Sequence, residues 1–116
     1  MKIHSYLAAV PCTRAAGQRQ SWRGAFDDDA WSNLTDAPLH TVAGMVAAKQ
    51  ALWGLRGFFS SVNFDARDFH LTRTAEGKPQ VTRHPPLNAG CRLAISITHT
   101  RKTAYGLAVI EEPSGA

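Results

Sequence analysis

Between Asp36 and Phe59, apolar side chains return at steps of three and four: Val42, Met45, Ala48, Leu52, Leu55 and Phe59. That spacing is one stripe of an α-helix. Asp36 reads as the N-cap, Pro38 fits the first turn, and Gly57 reads as the stop. Val46, Lys49, Trp53 and Arg56 run beside the stripe. Lys49 is therefore expected at the edge of the buried face, where a lysine stem can lie on apolar surface with its ammonium in water. Gly44 and Gly54 each weaken such a helix by about 1 kcal/mol relative to Ala. A helix this long in a chain of 116 residues needs a second layer to cover its stripe.

Strands supply that layer. Ile3 to Val10 is rich in β-branched, aromatic and leucine side chains and is closed by Pro11. Thr13 to Gly24 is polar and reads as loop or a short helix, and Phe26 to Trp31 as a helix start whose aspartates suit the positive end of the helix dipole. Ala66 to Thr72 is a candidate strand. Glu76-Gly77-Lys78-Pro79 turns the chain into Gln80 to Arg83, and His84 to Gly90 is a Pro-rich connector. Cys91 to His99 alternates, with Leu93, Ile95 and Ile97 on one face. Thr100-Arg101-Lys102 turns, and Thr103 to Glu111 returns as the second arm of a hairpin. In that arm Ala104, Gly106 and Ala108 leave a small-residue face on which a helix can pack closely, while Pro113 to Ala116 reads as a frayed tail. The expected fold is α+β, one domain over residues 1–116, with the long helix packed on a small antiparallel sheet.

Composition agrees with a single soluble core: 44% of residues are hydrophobic and 19% charged, which excludes a coiled coil and a disordered tail protein. Lys and Arg together number 13 against 9 Asp and Glu, for a net charge of +4, and nine of the cations are Arg. Arg favours bidentate contact with phosphate or carboxylate, so an anionic partner and a merely solvated surface both fit. The Arg are spread from Arg14 to Arg101 and are not interleaved with Trp22, Trp31 and Trp53 in one stripe, which argues against nucleic acid. Cys12 and Cys91 lack CxxC or paired His spacing, so a disulfide scaffold and a zinc site are disfavoured, and both read as small apolar residues in a reducing compartment. No apolar run approaches the roughly 20 residues that span a membrane. Tyr6 to Val10 is too short for a secretory segment, and the expected location is the cytoplasm.

Three segments, taken in order, are more specific than any one. Ala47-Ala48-Lys49-Gln50-Ala51 lies on the long helix, Glu76-Gly77-Lys78-Pro79 forms a turn, and Ile95-Ser96-Ile97-Thr98-His99-Thr100 leads into Ala104-Tyr105-Gly106-Leu107-Ala108-Val109-Ile110. This set resembles the phosphopantetheinyl transferase superfamily, most closely the short holo-acyl-carrier-protein synthase branch. That branch has an AAKEA-type helix, a GKP turn and a Ser-x-Ser-His strand before an alanine-rich strand. Phe26-Asp27-Asp28-Asp29-Ala30-Trp31 resembles the family's acidic segment ahead of the helix.

The resemblance implies transfer of the 4′-phosphopantetheine arm of coenzyme A to a serine of an apo acyl or peptidyl carrier protein, with release of 3′,5′-ADP. It also implies magnesium on the diphosphate, held by a first-strand Asp and the helix Glu, a helical lysine one turn further on, and a homotrimer with sites between subunits. Carried over residue by residue, Lys49 and His99 are the candidate catalytic side chains. Lys49, Gly77, Lys78, Pro79, Ser96, His99 and Thr100 are the candidate coenzyme A contacts, and Gln50 stands at the metal position. Plainer readings stand beside these: Lys49 as a snorkelling helix residue, His99 as a polar strand end, Ser96 as an ordinary strand position.

The sequence departs from the family at the metal. Gln50 replaces the helix carboxylate, the first strand His4 to Pro11 has no Asp, and the second helical lysine falls at Gly54. Magnesium strongly prefers carboxylate and phosphate oxygens. A relative that binds coenzyme A or a carrier protein without transfer is the alternative reading. Asp27, Asp28 and Asp29 read as a solvated helix N-terminus in preference to a substitute metal site, because consecutive helix residues point about 100° apart and do not all converge.

Overall fold

The computed structural model describes residues 1–13, 15–61 and 63–114. A long first strand, β1 (Lys2–Pro11), is followed by two short helices, α1 (Gln18–Ser21) and α2 (Asp28–Ser32), and then by the main helix, α3 (Leu39–Gly54). A hairpin of β2 (His70–Arg73) and β3 (Pro79–Arg83) comes next, and β4 (Arg92–His99) and β5 (Thr103–Glu112) close the chain. Strands β1, β5 and β4 form an antiparallel three-stranded sheet in that order, and β2 with β3 forms a separate two-stranded one. The α+β architecture, a helix on a small antiparallel sheet, is the one expected. Among the described residues no helix is long and apolar enough to cross a membrane.

The close fit of α3 on the sheet is set by small side chains. Ala104, Gly106 and Ala108 of β5 face the helix and are buried. A Cβ placed on Gly106 would lie 2.3 Å from the backbone nitrogen of Ala48 and 2.4 Å from the carbonyl carbon of Ala47. Backbone therefore meets backbone here, and the helix middle is buried on more than one stripe: Val42, Ala43, Val46, Ala47, Ala48, Ala51 and Leu52 are all inside. One apolar cluster gathers Val10, Phe26, Leu34 and Val46 near the start of the helix. The other gathers Leu52, Leu55, Phe59, Phe69 and Ile110 near its end. Fully burying a side chain such as Phe69 contributes about 2 kcal/mol.

Three expectations are corrected. Helix α3 begins after Pro38, not Asp36: Pro38 is extended (φ −57°, ψ 149°) and its carbonyl takes the amides of Thr41 and Val42. It ends at Gly54 rather than Gly57, and residues Arg56–Phe58 continue as a tighter 3-10 turn. Ala66 to Thr72 is not one strand, because Ala66–Asp68 forms a 3-10 turn closed by a reciprocal cap: Asp65 accepts the Arg67 amide, and Asp68 accepts the Asp65 amide. Strand β2 begins only at His70. Of the expected frayed tail, Gly115 and Ala116 lie outside the described residues, as does Arg14. Cys12 is buried, Cys91 half-buried, and both are free.

Among the described residues no layer covers the opposite face of the sheet. Ile3 and Leu7 are each 63% exposed. Leu7 sits opposite Leu107, and Leu107 opposite Ser96. Tyr105, Leu107 and Val109 point to this side, away from the helix, and are only half-buried.

Candidate functional site

Lys49 is inside the protein, not at the edge expected for it: it is 3% exposed. Its Nζ donates to the carbonyl oxygens of Ala66 (2.8 Å) and Phe69 (2.6 Å) and stands 4.6 Å from the centre of the Phe26 ring. The ammonium thus pins the 65–69 segment and α2's lead-in to the helix. Burial pulls its pKa from 10.5 down to about 8, opposed by the negative charges of Asp27, Asp65 and Asp68. With Nζ buried and two of its three N–H donors given to carbonyls, the snorkelling reading fails, and only the third donor is left for the phosphate contact expected of Lys49.

The aspartates before α3 diverge, as their spacing requires. Asp27 caps α2, accepting the Ala30 amide at 2.8 Å, and lies 3.0 Å from His70 Nε2. The backbone hydrogen bond is the main cause that holds its carboxyl below the usual range, helped by the charges of His70 and Lys49. Asp28 pairs with Arg23, and Asp29 is exposed. Among the described residues no group of three His, Cys, Asp or Glu side chains is placed to hold a metal.

His99 closes β4 on the helix side and stacks on His40 in the first turn of α3, ring centres 4.2 Å apart and planes 29° apart. A cavity of about 620 Å³ opens there, lined by both histidines with Arg101, Thr100 and Cys12. Thr100 Oγ1 takes the amides of Thr103 (3.1 Å) and Lys102 (3.3 Å), so its hydroxyl shapes the β4–β5 turn. His40 and Arg101 were not singled out from sequence, because nothing in their spacing shows that the helix start and this turn meet.

Gln50 is exposed and faces a second cavity of about 700 Å³, walled by Tyr6, Ala8, Trp22 and Trp53. A Cβ on Gly54 would come within 2.4 Å of the Tyr6 ring, so a lysine cannot stand there without displacing Tyr6. Of the residues around this cavity only Lys49 is ionic, and its ammonium is turned to the carbonyls of Ala66 and Phe69. These residues do not fit magnesium: one amide oxygen faces aromatic and methyl groups, with no carboxylate in the wall.

The remaining candidates stand apart. Gly77, in the left-handed region at φ 86°, Lys78 and Pro79 lie at the β2–β3 turn. There the Thr74 amide bonds to the Lys78 carbonyl, and Arg73 donates to the Gly77 carbonyl. They line neither the His99 nor the Gln50 cavity. Ser96 is exposed on the uncovered sheet face. A single copy brings His99 together with Thr100, and Lys49 with Gln50, but not these groups with each other.

No family model matches the chain. It is 34% identical over 70 residues to a holo-[acyl-carrier-protein] synthase of Listeria monocytogenes, covering 60% of this chain and 58% of that protein. It is 33% identical over 76 residues to one of Chlorobium luteolum, covering 64% of each. The match thus spans about three fifths of the length of these curated relatives. Among solved structures, a holo-(acyl-carrier-protein) synthase from Bacillus anthracis in complex with CoA (3′,5′-ADP) superposes with a TM-score of 0.72 at 17% identity, over 94% of this chain and 96% of that one. The Helicobacter pylori synthase in complex with coenzyme A gives 0.68 at 16% identity, over 93% and 100%. At such identities the structures speak for the fold.

Proposed function

We propose, for a chain related in sequence and fold to the holo-acyl-carrier-protein synthases of the phosphopantetheinyl transferase superfamily, that it binds coenzyme A and acts in phosphopantetheinyl transfer to a carrier protein. The observation that carries this reading is the His99 end of β4. It joins two imidazoles and Arg101 in one open cavity at the uncapped start of α3, a donor-rich place for a phosphate. In the reaction, the serine oxygen of the carrier attacks the β-phosphorus of coenzyme A. The bond from that phosphorus to the bridging oxygen breaks, 3′,5′-ADP leaves with the electron pair, and the serine proton passes to a base. His99 is exposed and its Nδ1 lies 3.2 Å from the Thr100 carbonyl, so its Nε2 is the nitrogen open to a substrate phosphate. Lys49 contributes by holding the 65–69 segment.

Assembly belongs to the same proposal. The apolar sheet face bearing Leu7 and Leu107 suits contact between copies in a homotrimer. Such contact is the means by which Ser96, His99 and the Gly77–Pro79 turn could share a site. A cytoplasmic setting goes with this reading. A second reading, binding without transfer, is favoured by the carboxylate-free wall around Gln50, since loss of a charge-neutralising metal removes a large part of phosphoryl-transfer catalysis.

The test is to incubate the protein with coenzyme A, magnesium and an apo carrier protein and to follow the carrier's mass. A gain of the phosphopantetheine arm, slowed at least about tenfold in His99→Ala, is expected. Absence of transfer, with thermal stabilisation by coenzyme A that is indifferent to magnesium, selects the second reading. Absence of both transfer and stabilisation overturns the proposal.

A further inference from the structure

We infer that the cavity faced by Gln50 is a binding site for an uncharged, amide-bearing chain, and that its ligand is the pantetheine arm of coenzyme A rather than a metal-bridged diphosphate. This rests on the reading that the protein binds coenzyme A. The cavity, about 700 Å³, lies between β1, the α1 region and the outer face of α3. Its wall is neutral and aromatic: Tyr6 is 48% and Trp53 41% exposed, and Trp22 is half-buried. Lys49, the one ionic residue in its lining, directs Nζ to two backbone carbonyls, and the nearby Arg56 guanidinium stacks 5.3 Å from the centre of the Trp53 ring. A diphosphate placed here would lose water against a lining with no carboxylate to hold a metal and with one lysine whose ammonium is already spent on two carbonyls, which is costly.

Besides Lys49 and Ser21, whose side chains bond to backbone carbonyls, the lining carries neutral polar groups. Among the described residues neither the Gln50 side-chain amide nor the indole N–H groups of Trp22 and Trp53 has a hydrogen-bond partner. Gln50 offers one carbonyl acceptor and two N–H donors, and each indole offers one donor. Pantetheine carries two amides, hydroxyls and short aliphatic links without charge. Its amides match Gln50 and the indoles, and its methyl and methylene groups match the ring faces of Tyr6 and Trp53. The same features explain why no metal ligands are kept: an aspartate or glutamate in this wall would be a charge against an apolar chain.

The experiment is to titrate pantetheine and, separately, 3′,5′-ADP into the protein by calorimetry, following tryptophan fluorescence in parallel. Gln50→Leu and Trp53→Ala, both at exposed positions, serve as variants, with circular dichroism to confirm folding. The expected result is that pantetheine binds and perturbs the tryptophan emission. Each variant weakens it by about tenfold, while 3′,5′-ADP binding changes by less than about twofold. Replacing EDTA by magnesium is expected to leave the affinity for pantetheine and coenzyme A unchanged. Pantetheine that does not bind while 3′,5′-ADP does, or that binds equally to Gln50→Leu and Trp53→Ala, overturns the inference and leaves the coenzyme A reading intact. Magnesium tightening of coenzyme A that disappears in Gln50→Leu also overturns it. Pantetheine that binds while neither 3′,5′-ADP nor coenzyme A does supports the amide site and sinks the coenzyme A reading.

Discussion

Lys49 carries a charge into the interior, and two carbonyls and an aromatic ring hold it there. Its pKa is lowered to about 8 because burial disfavours the charged form. In the unfolded chain the lysine titrates near 10.5. Between those values the unfolded state binds more protons than the folded one, so stability rises with pH across that window and the penalty is fully present below it. Wild type is therefore expected to gain about 2 kcal/mol on Lys49→Met between about pH 7.5 and pH 10. Paired denaturant melts of the two proteins check this, since every other group is common to both. A difference that stays flat, or that shrinks with rising pH, would show that the amine keeps its full charge inside. Sequence spacing placed Lys49 correctly on the helix but at the rim. Its burial depends on the 65–69 segment folding back onto the helix, a contact between distant residues that periodicity does not carry. At Gln50 the opposite holds: the missing carboxylate was legible as a letter, whereas the aromatic wall of Tyr6, Trp22 and Trp53 was not.

At the scale of elements, the helix–sheet contact was readable because it is written as a row of small residues. The alternation of Ala104, Gly106 and Ala108 in β5 marks the face on which α3 lies. Gly106→Ala is expected to cost about 2 kcal/mol or more and to lower Tm by roughly 8 °C, because the new methyl meets helix backbone, which cannot rotate away. Differential scanning calorimetry measures it; an unchanged Tm would mean that the helix can shift off the strand at little cost. The 66–72 segment was misread for an equally local reason. Leu71 and Thr72 do belong to β2, but Asp65 and Asp68 spend their carboxylates on each other's turn and coil the first residues instead. Asp65→Ala removes that cap along with the Arg67 pair. It is expected to cost about 1 kcal/mol in the same calorimetric measurement, with no change in the mass of the assembly.

The whole molecule is lopsided. One sheet face is sealed by α3, and the other presents Ile3 and Leu7 to solvent beside half-buried Tyr105, Leu107 and Val109. Sequence alternation showed both faces of β5 but assigned a cover to only one, since a single chain has no second helix to spend. The candidate site residues divide along the same line. His99 and Gln50 open on the helix side, Ser96 lies on the bare face, and Gly77 to Pro79 stand at the far hairpin turn. If copies associate through the bare face, a charge in its middle must oppose association while leaving the fold intact, since Leu7 packs in neither apolar cluster of the single chain. Leu7→Glu is therefore expected to convert a trimer into monomers in light scattering coupled to gel filtration, with a circular dichroism spectrum like that of wild type. Carrier modification is expected to fall with it by at least about tenfold, because a shared site dissolves with the assembly. Lys2→Glu, at the exposed start of the same strand, is the control for added negative charge and is expected to leave the mass unchanged. A wild-type protein that is already monomeric and still modifies the carrier would confine the whole reaction to one copy, and would leave the Leu7 face without a part in it.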